Sequence, residues 1–219
     1  MQINKFTNRL YGRTRGRSNN KHNYEQYFKN IKKYKFSKLE KTKSYILDIG
    51  TGYGETSIYL STKSKNHTII SCEKYIDGNI NLIKNLKMKN IKNIKIYPGN
   101  VIDIFEKNPC FEYFNLVWIF FPDPWPKKRH FKRRLINDSF LKKIYSFMQK
   151  NSTLFIATDS TSYSRYIMKN LYENKHLFEW VNQHNLYLNL KHYYEVETKY
   201  YKKAIFYGRK PSLFILKKI

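Results

Sequence analysis

The sequence predicts an α/β fold, a doubly wound and mostly parallel sheet of seven strands. Short apolar segments alternate with amphipathic segments along the chain. Gly50, Gly52 and Gly54 lie between a predicted strand and a predicted helix, as in Rossmann-like folds. A chain of 219 residues is long enough for one such domain. We therefore predict a basic arm and helix over 1–36 and the α/β domain over 37–219.

The elements follow from hydrophobic pattern. Strands are short apolar runs that end at polar or turn residues, and we predict them at 44–50, 67–74, 94–100, 113–121, 152–160, 176–182 and 212–218. Helices have apolar residues every three or four positions, and we predict them at 22–35, 55–63, 77–90, about 132–148 and 162–174. Strands that alternate with helices in this way favour parallel neighbours joined by helical crossovers.

The net charge points to a polyanionic partner. Lysine and arginine total 42 against 16 acidic residues, which gives a net charge of +26. Such an excess is typical of proteins that bind nucleic acid. The chain is also rich in Lys, Asn, Ile and Tyr, so A+T-rich coding bias is an alternative source of the lysines. The charge alone therefore does not decide between these two explanations.

The sequence has no features typical of metal-binding, disulfide-rich or membrane proteins. Cys72 and Cys110 have no spacing typical of a zinc site or a disulfide framework, and we predict no metal. The first ten residues are polar, and no apolar run reaches the ~18 residues of a membrane span. We expect a cytoplasmic protein with no membrane association.

Arginine is more informative than lysine. Seven of the nine arginines lie in two stretches: Arg9, Arg13, Arg15 and Arg17, then Arg129, Arg133 and Arg134. The planar guanidinium suits bidentate contacts to phosphate, so two clusters predict a clamp on a nucleic-acid backbone. Residues 1–20 have no apolar periodicity, and we expect an arm that is poorly ordered without its ligand. Removal of 1–17 is expected to leave cofactor affinity unchanged.

The glycine turn predicts a nucleoside cofactor. The spacing is G-x-G-x-G, and Glu73 ends the next strand about 20 residues later, where a carboxylate accepts hydrogen bonds from ribose hydroxyls. Asp48 inside the turn would repel a pyrophosphate but suits the cationic amino-acid tail of S-adenosylmethionine. Asn100, after the third strand, is positioned for the adenine edge. The alternative is a Rossmann-like turn that binds nothing.

The segment 121–134, "FPDPWPKKRHFKRR", follows the fourth strand at the edge where such folds bind ligands. Pro122 and Pro124 restrict the backbone on both sides of Asp123 and leave Trp125 as an apolar wall. We predict a substrate pocket in which Asp123 is the catalytic carboxylate. A structural turn followed by a solvated helix start is the alternative.

The sequence resembles the bacterial tRNA (guanine-N7)-methyltransferase family, TrmB, from about residue 9 to the C-terminus. "FPDPWPKKRHFKRRL" is the most specific segment, and "RLYGRTRGR", "LDIGTGYGE", "ATDSTSY" and "TKYYKKAIFYGRKP" occur in the family's order. The resemblance implies a class I methyltransferase fold. It also implies methyl transfer from S-adenosylmethionine to N7 of guanine 46 in the variable loop of tRNA.

The resemblance also implies roles for individual residues. Asp48, Glu73 and Asn100 fall on cofactor contacts, Asp123 on the proposed catalytic acid, and Lys127, Asp159 and Thr198 on substrate contacts. Two positions depart from the family. Asn100 replaces a usual Asp, and Tyr201 replaces the Glu of a Thr-x-x-Glu motif. Glu195 and Glu197 lie nearby in sequence, and either is a candidate replacement.

The predicted chemistry needs neither a metal nor a strong base, because guanine N7 already has an in-plane lone pair. We expect tRNA as partner, no obligatory protein partner, and a monomer or homodimer. Three rivals stay open. They are an amino-methylating enzyme, since "DPW" is similar to [DN]PP[YW], an inactive RNA-binding protein of the same fold, and a small-molecule methyltransferase, which would leave the arginine clusters unused.

Overall fold

The computed structural model describes residues 12, 14–16, 21–187 and 195–219. The strands in chain order are β1 (Tyr45–Ile49), β2 (Thr68–Cys72), β3 (Ile94–Tyr97), β4 (Phe114–Phe120), β5 (Met148–Thr158), β6 (Phe178–Trp180) and β7 (Ser212–Lys218). The helices are α1 (Lys21–Tyr34), α2 (Glu55–Lys63), α3 (Ile76–Met88), α4 (Val101–Lys107), α5 (Asp138–Tyr145), α6 (Thr161–Glu173) and α7 (Lys199–Phe206). A 3₁₀ helix covers Lys128–Arg133.

The strands form one seven-stranded sheet in the order β3-β2-β1-β4-β5-β7-β6. The pairs among β1 to β5 are parallel, and β7 lies antiparallel between β5 and β6. In the register, Leu47 faces Ile70 on one side and Val117 on the other. The order reverses between β1 and β4, and such a switch point opens a crevice at the carboxyl ends of the strands.

Helices cover both faces of the sheet, which is why β1 is buried along its whole length. One core cluster contains Phe105, Phe140 and Phe147, and the other contains Leu82 and Trp118. Burial of both faces explains why the strands appear in the sequence as continuous apolar runs rather than alternating ones. The structure confirms the predicted fold class and all seven strand positions to within a few residues.

The helix predicted over about 132–148 is confirmed only over Asp138–Tyr145. Its basic first half is the 3₁₀ helix Lys128–Arg133, none of whose residues is buried. α5 begins only at Asp138, where the Asn137 side chain accepts a hydrogen bond from Phe140 N and caps it. β5 starts at Met148 instead of 152, so the helix has no room to continue.

Two helices were absent from the prediction. α4 has only seven residues, too few to establish a period, and α7 follows a segment without a clear apolar pattern. Both begin at a polar cap: the Asn100 side chain accepts from Ile102 N, and the Thr198 hydroxyl accepts from Tyr201 N. Among the residues described, no helix has the length and apolar composition that crossing a bilayer requires.

Candidate active site

A cavity of about 830 Å³ lies at the carboxyl ends of β1, β2 and β4, at the switch point of the sheet. Its walls come from the glycine turn after β1, the end of β2, the proline-rich loop after β4, and the first half of α7. A volume of this size is typical of pockets for cofactors and other small molecules. The predicted position of the site is therefore where the structure has its cavity.

The glycine turn exposes its backbone to the cavity. Gly50 and Gly52 have φ values of 74° and 60°, in the left-handed region that favours glycine, and both line the cavity. A Cβ on Gly50 would meet nothing within 4 Å. Gly54 differs, because a Cβ there would lie 2.7 Å from Leu82 of α3. Gly54 is therefore needed for helix packing, which corrects its predicted role as a cofactor contact.

Asp48 lies behind the turn rather than in the cavity wall. Its Oδ2 accepts hydrogen bonds from the Thr56 and Ser57 hydroxyls, 2.5 and 2.7 Å away, which joins β1 to the start of α2. Burial raises the pKa of Asp48 to about 6, against the opposing effect of these hydrogen bonds. The predicted direct contact between Asp48 and the cofactor does not fit this burial, and the residue instead supports the turn.

Glu73 lies in the cavity wall, as predicted. Its Oε2 accepts from Gly52 N at 2.8 Å and its Oε1 accepts from Tyr75 N at 2.7 Å. Burial raises the pKa of Glu73, while these backbone hydrogen bonds oppose the shift. The carboxylate is thus held in one orientation at the cavity, where hydroxyl groups of a ligand can donate to it.

Asn100 caps α4 through its side-chain oxygen, which accepts from Ile102 N at 3.1 Å. The residue next to it, Gly99, lines the cavity, whereas Asn100 itself does not. The structure therefore places the predicted adenine contact beside the cavity and uses its acceptor atom within the fold.

The loop that carries Asp123 has an unusual backbone. Phe121 and Trp125, on either side of the Pro-Asp-Pro sequence, have positive φ values of 53° and 43°. Positive φ is uncommon in residues other than glycine, and such strain concentrates at functional sites. Asp123 lines the cavity, and partial burial raises the pKa of its carboxyl group while the charge of Lys74 opposes the shift.

Arg134 holds this loop and is not available to RNA. Its side chain is only 1% exposed, its Nε donates to Pro124 O at 2.9 Å, and its other nitrogens donate to Ser162. The guanidinium also lies 3.7 Å from the centre of the Phe131 ring. The predicted phosphate contact of Arg134 is therefore wrong, because the side chain is buried and each of its three nitrogens already donates to a group inside the protein.

The remaining predicted substrate residues divide into two groups. Lys127 and Arg129 are exposed, and Arg133 lines the cavity with its guanidinium 5.0 Å from the Trp125 ring centre. In contrast, Thr198 is buried and caps α7. Asp159 accepts from Arg209 at 2.6 Å. Neither Thr198 nor Asp159 lines the cavity, so the structure does not bring them together with Asp123.

Sequence reasoning missed that α7 closes one side of the cavity. Tyr200 lines the cavity and stacks on Phe121 with ring centres 6.5 Å apart. The Glu55 carboxylate accepts from Lys199 N at 3.0 and 3.2 Å, which ties the start of α7 to α2. The short length of α7 concealed it in the sequence.

Neither of the two acids proposed to replace the family's Glu at position 201 does so. Glu195 pairs with Lys63 and Glu197 pairs with Lys202, at the surface. The carboxylate at the first turn of α7 comes from Glu55 instead. Because Glu55 is 146 residues before Tyr201, this contact could not be found from neighbouring positions.

The described part of the arm lies against the cavity. Gly12 and Gly16 line it, and a Cβ on Gly12 would be 3.5 Å from the Asp123 carboxylate. Thr14 O accepts from Ile76 N at 2.9 Å, and a Cβ on Gly16 would overlap the Asp77 carboxylate. The arm therefore contributes to the cofactor cavity, contrary to the expectation that the two are independent. Arg9, Arg13 and Arg17 lie outside the described residues.

Comparison with known proteins agrees with this geometry. A family model described as "Putative methyltransferase" matches residues 42–212. A tRNA (guanine-N(7)-)-methyltransferase of Buchnera aphidicola is 34% identical over 176 residues, which cover 79% of this chain and 72% of that protein. One from Wolbachia pipientis is 32% identical, with 77% and 72% covered. A bifunctional methyltransferase of Rickettsia conorii is 31% identical over 97% of this chain and 40% of its own length.

Solved structures with little sequence identity share the fold. An antibiotic-related methyltransferase superposes with a TM-score of 0.55 at 16% identity, over 88% of this chain and 92% of that one. An rRNA methylase from Streptococcus thermophilus gives a TM-score of 0.53 at 12% identity, with 89% and 95% covered. These similarities establish the methyltransferase-type fold.

The raised pKa of Asp48 predicts a pH dependence of stability. Between about pH 4 and pH 6 the folded protein keeps a proton on Asp48 that the unfolded chain releases. The free energy of unfolding therefore falls as the pH rises through this window, by on the order of 3 kcal/mol, and levels off above it. Asp48→Asn should remove this part of the decline in urea denaturation at pH 4 and pH 7. An equal decline in both proteins would contradict the assignment.

Arg134→Lys should destabilise the proline-rich loop. A lysine provides one point charge in place of three directed donors, and leaving partly buried acceptors such as Pro124 O without a donor costs about 1–3 kcal/mol. We expect a lower thermal midpoint and faster hydrogen exchange at the backbone amides of Asp123 and Trp125. Arg129→Lys is the matched control, since Arg129 is exposed and its replacement should change stability by less than about 0.5 kcal/mol. Equal effects of the two substitutions would show that Arg134 does not hold the loop.

Proposed function

Because this chain belongs to the tRNA (guanine-N(7)-)-methyltransferase family, we propose that it transfers a methyl group from S-adenosylmethionine to N7 of guanine in tRNA. Guanine 46 of the variable loop is the target that the family resemblance implies. The observation that carries the proposal is the position of Asp123, which a strained proline-bound loop holds at a cavity of cofactor size. The match to the family model covers residues 42–212, which include every segment of the cavity wall except the arm.

The cavity residues fit S-adenosylmethionine. Glu73 presents an oriented carboxylate for ribose hydroxyls, and Gly50 leaves open space where a side chain would obstruct a nucleoside. Gly99 allows an approach beside the end of β3. When bound, S-adenosylmethionine supplies a methyl group on a positively charged sulfur. Glu73 favours such a cation, since its carboxylate lies in the cavity wall.

Asp123 acts on the guanine by position and charge. N7 carries a free lone pair, so the reaction requires no deprotonation before attack, and the ring becomes cationic as the new bond forms. A carboxylate fixed beside the ring stabilises that charge without reorganisation. The same carboxylate can accept hydrogen bonds from the guanine N1 and N2 groups, which orients N7 for in-line attack.

The loop and the basic residues around it would bind the RNA. Trp125 forms an apolar wall beside Asp123 and supports a base that has left its stack. Lys127 and Arg129 are exposed on the same loop, and Arg133 lies at the cavity, so cations surround the position of the reacting nucleotide. Such contacts to phosphate position the RNA without reading its sequence.

The test is nucleoside analysis of tRNA by mass spectrometry after incubation with the protein and S-adenosylmethionine. We expect 7-methylguanosine with the wild type, and with Asp123→Ala a loss of turnover of about 100-fold or more. Cofactor affinity by calorimetry should stay within about twofold, because the ribose contact at Glu73 is unchanged. Glu106→Ala, an exposed acid on α4, is the control and should keep full turnover.

Two outcomes would contradict these assignments. Methylation at another atom of tRNA would support the amino-methylating alternative, and binding of both ligands without any methylated nucleoside would support an inactive RNA-binding protein. Near-normal turnover of Asp123→Ala would remove this residue from the catalytic role while leaving the reaction itself in place.

Deletion of residues 1–17 should weaken the binding of both tRNA and S-adenosylmethionine. The deletion removes five basic residues: Lys5, Arg9, Arg13, Arg15 and Arg17. Their loss should lower tRNA affinity. The slope of log affinity against log salt should also become shallower by a few units, at about 0.7–0.9 for each phosphate contact. Cofactor affinity should fall too, because Gly12 and Gly16 belong to the cavity wall. Filter binding at several salt concentrations and calorimetry measure the two effects.

The control for this truncation removes the same charge elsewhere. Five exposed lysines lie outside the cavity wall: Lys38, Lys65, Lys84, Lys89 and Lys92. Replacement of all five by glutamine removes five positive charges. This variant should bind S-adenosylmethionine like the wild type. If the truncated protein and the wild type bound S-adenosylmethionine with equal affinity, the arm would not contribute to cofactor binding.

A further inference from the structure

The end of α7 carries an exposed aromatic pair. Phe206 is 83% exposed and Tyr207, which follows it, is 60% exposed. We call these two residues the α7 ridge. Single exposed apolar residues need no explanation, but two adjacent large rings at the end of one helix form a patch, and such patches mark interaction sites.

The rings of the α7 ridge are held at right angles. Their centres are 5.2 Å apart with an interplanar angle of 84°. Arg209 places its guanidinium 5.2 Å from the Tyr207 ring centre, and it is itself anchored by Asp159 at 2.6 Å. The Tyr207 ring is thus held at the surface by an ion-paired guanidinium, while the Phe206 ring is 83% exposed to solvent.

Positive charge surrounds the α7 ridge. Lys202 and Lys203 precede it on the helix, and Arg209 and Lys210 follow it, all of them exposed. Glu197 pairs with Lys202 and Asp159 pairs with Arg209, so Lys203 and Lys210 contribute the net positive charge. The segment 202–210 contains no acidic residue. A flat apolar ring among cations complements a partner with planar bases and a negatively charged backbone. This combination is the one by which proteins bind single-stranded nucleic acid.

The α7 ridge lies on the same helix as residues of the cavity wall. Lys199, Tyr200 and Lys203 line the cavity together with Asp123. Phe206 follows Lys203 by three residues and lies on the same side of the helix, about 9 Å along the axis from Tyr200. Phe206 is therefore within reach of nucleotides that flank a base held in the cavity.

We propose that the α7 ridge is a stacking platform for an unpaired base of tRNA outside the catalytic cavity, with Phe206 as the ring that contacts it. The proposal rests on the proposed function, because that function makes tRNA the substrate. It adds a specific RNA contact that is independent of charge. Stacking of a base on an aromatic ring tolerates any sequence, so this contact contributes affinity rather than base selection.

Substitution of Phe206 tests the proposal through tRNA affinity. Phe206→Leu keeps an apolar side chain and helix propensity but removes the aromatic face, and tRNA affinity should fall about fivefold or more. Phe206→Trp should keep the wild-type affinity. The slope of log affinity against log salt should be unchanged in both variants, because no charge is lost. S-adenosylmethionine affinity should also be unchanged.

Tyr172→Leu is the matched control. Tyr172 is 74% exposed near the end of α6 and also has a lysine, Lys175, over its ring, but it lies outside the cavity wall. Its replacement should leave tRNA affinity unchanged. Equal tRNA affinity in Phe206→Leu and the wild type would overturn the proposal. A dimeric wild type that becomes monomeric on this substitution, by light scattering, would also overturn it and show a protein interface instead.

Ultraviolet crosslinking of the wild type to a tRNA transcript gives a second readout that does not depend on methyl transfer. Mass spectrometry of the digested complex should find a nucleotide attached to Phe206 or Tyr207. Absence of a crosslink in 202–210, with crosslinks elsewhere on the protein, would contradict the platform. A crosslink on the α7 ridge without 7-methylguanosine formation would refute the proposed function and leave the RNA contact standing.

Discussion

The hydrogen bonds of the Glu73 carboxylate join the parts of this site that come from different strands. One oxygen accepts from Gly52 in the turn after β1, and the other accepts from Tyr75 at the start of α3. The turn and α3 are also in direct contact, since a Cβ on Gly78 would lie 2.0 Å from the Gly52 carbonyl oxygen. The arm meets the same end of α3, since Thr14 O accepts a hydrogen bond from Ile76 N.

The charge of the cavity wall contrasts with the charge of the whole chain. The chain carries a net charge of +26, yet its cavity contains two carboxylates, Glu73 and Asp123, whose pKa values burial raises. Exposed cations such as Lys127 and Arg129 lie outside, on the loop. Positive charge is therefore spread over the surface, where it can attract RNA, whereas these two carboxylates lie in the cavity, where the proposed reaction would create a cation.

Local pattern was sufficient to predict the strands, the glycine turn and the positions of Glu73 and Asp123. Each of these depends on a short segment and on the rule that ligands bind at the carboxyl ends of parallel strands. Contacts between distant segments were not predictable in the same way. Glu55 reaches Lys199 across 144 residues, and the arm reaches Asp123 across more than 100. A single sequence contains no period or spacing that reports such contacts.

The arginines show why composition has to be read together with packing. Arg133 and Arg134 are adjacent and were assigned the same contact to phosphate, but one lines the cavity and the other is buried among aromatic rings. The buried one fixes the carbonyl of Pro124, and through it the strained backbone that presents Asp123. A guanidinium serves both purposes because its donors are directed and its flat face packs on rings. The basic loop therefore combines exposed cations, which we propose to contact RNA, with one buried guanidinium that holds the backbone carrying Asp123, the proposed catalytic carboxylate.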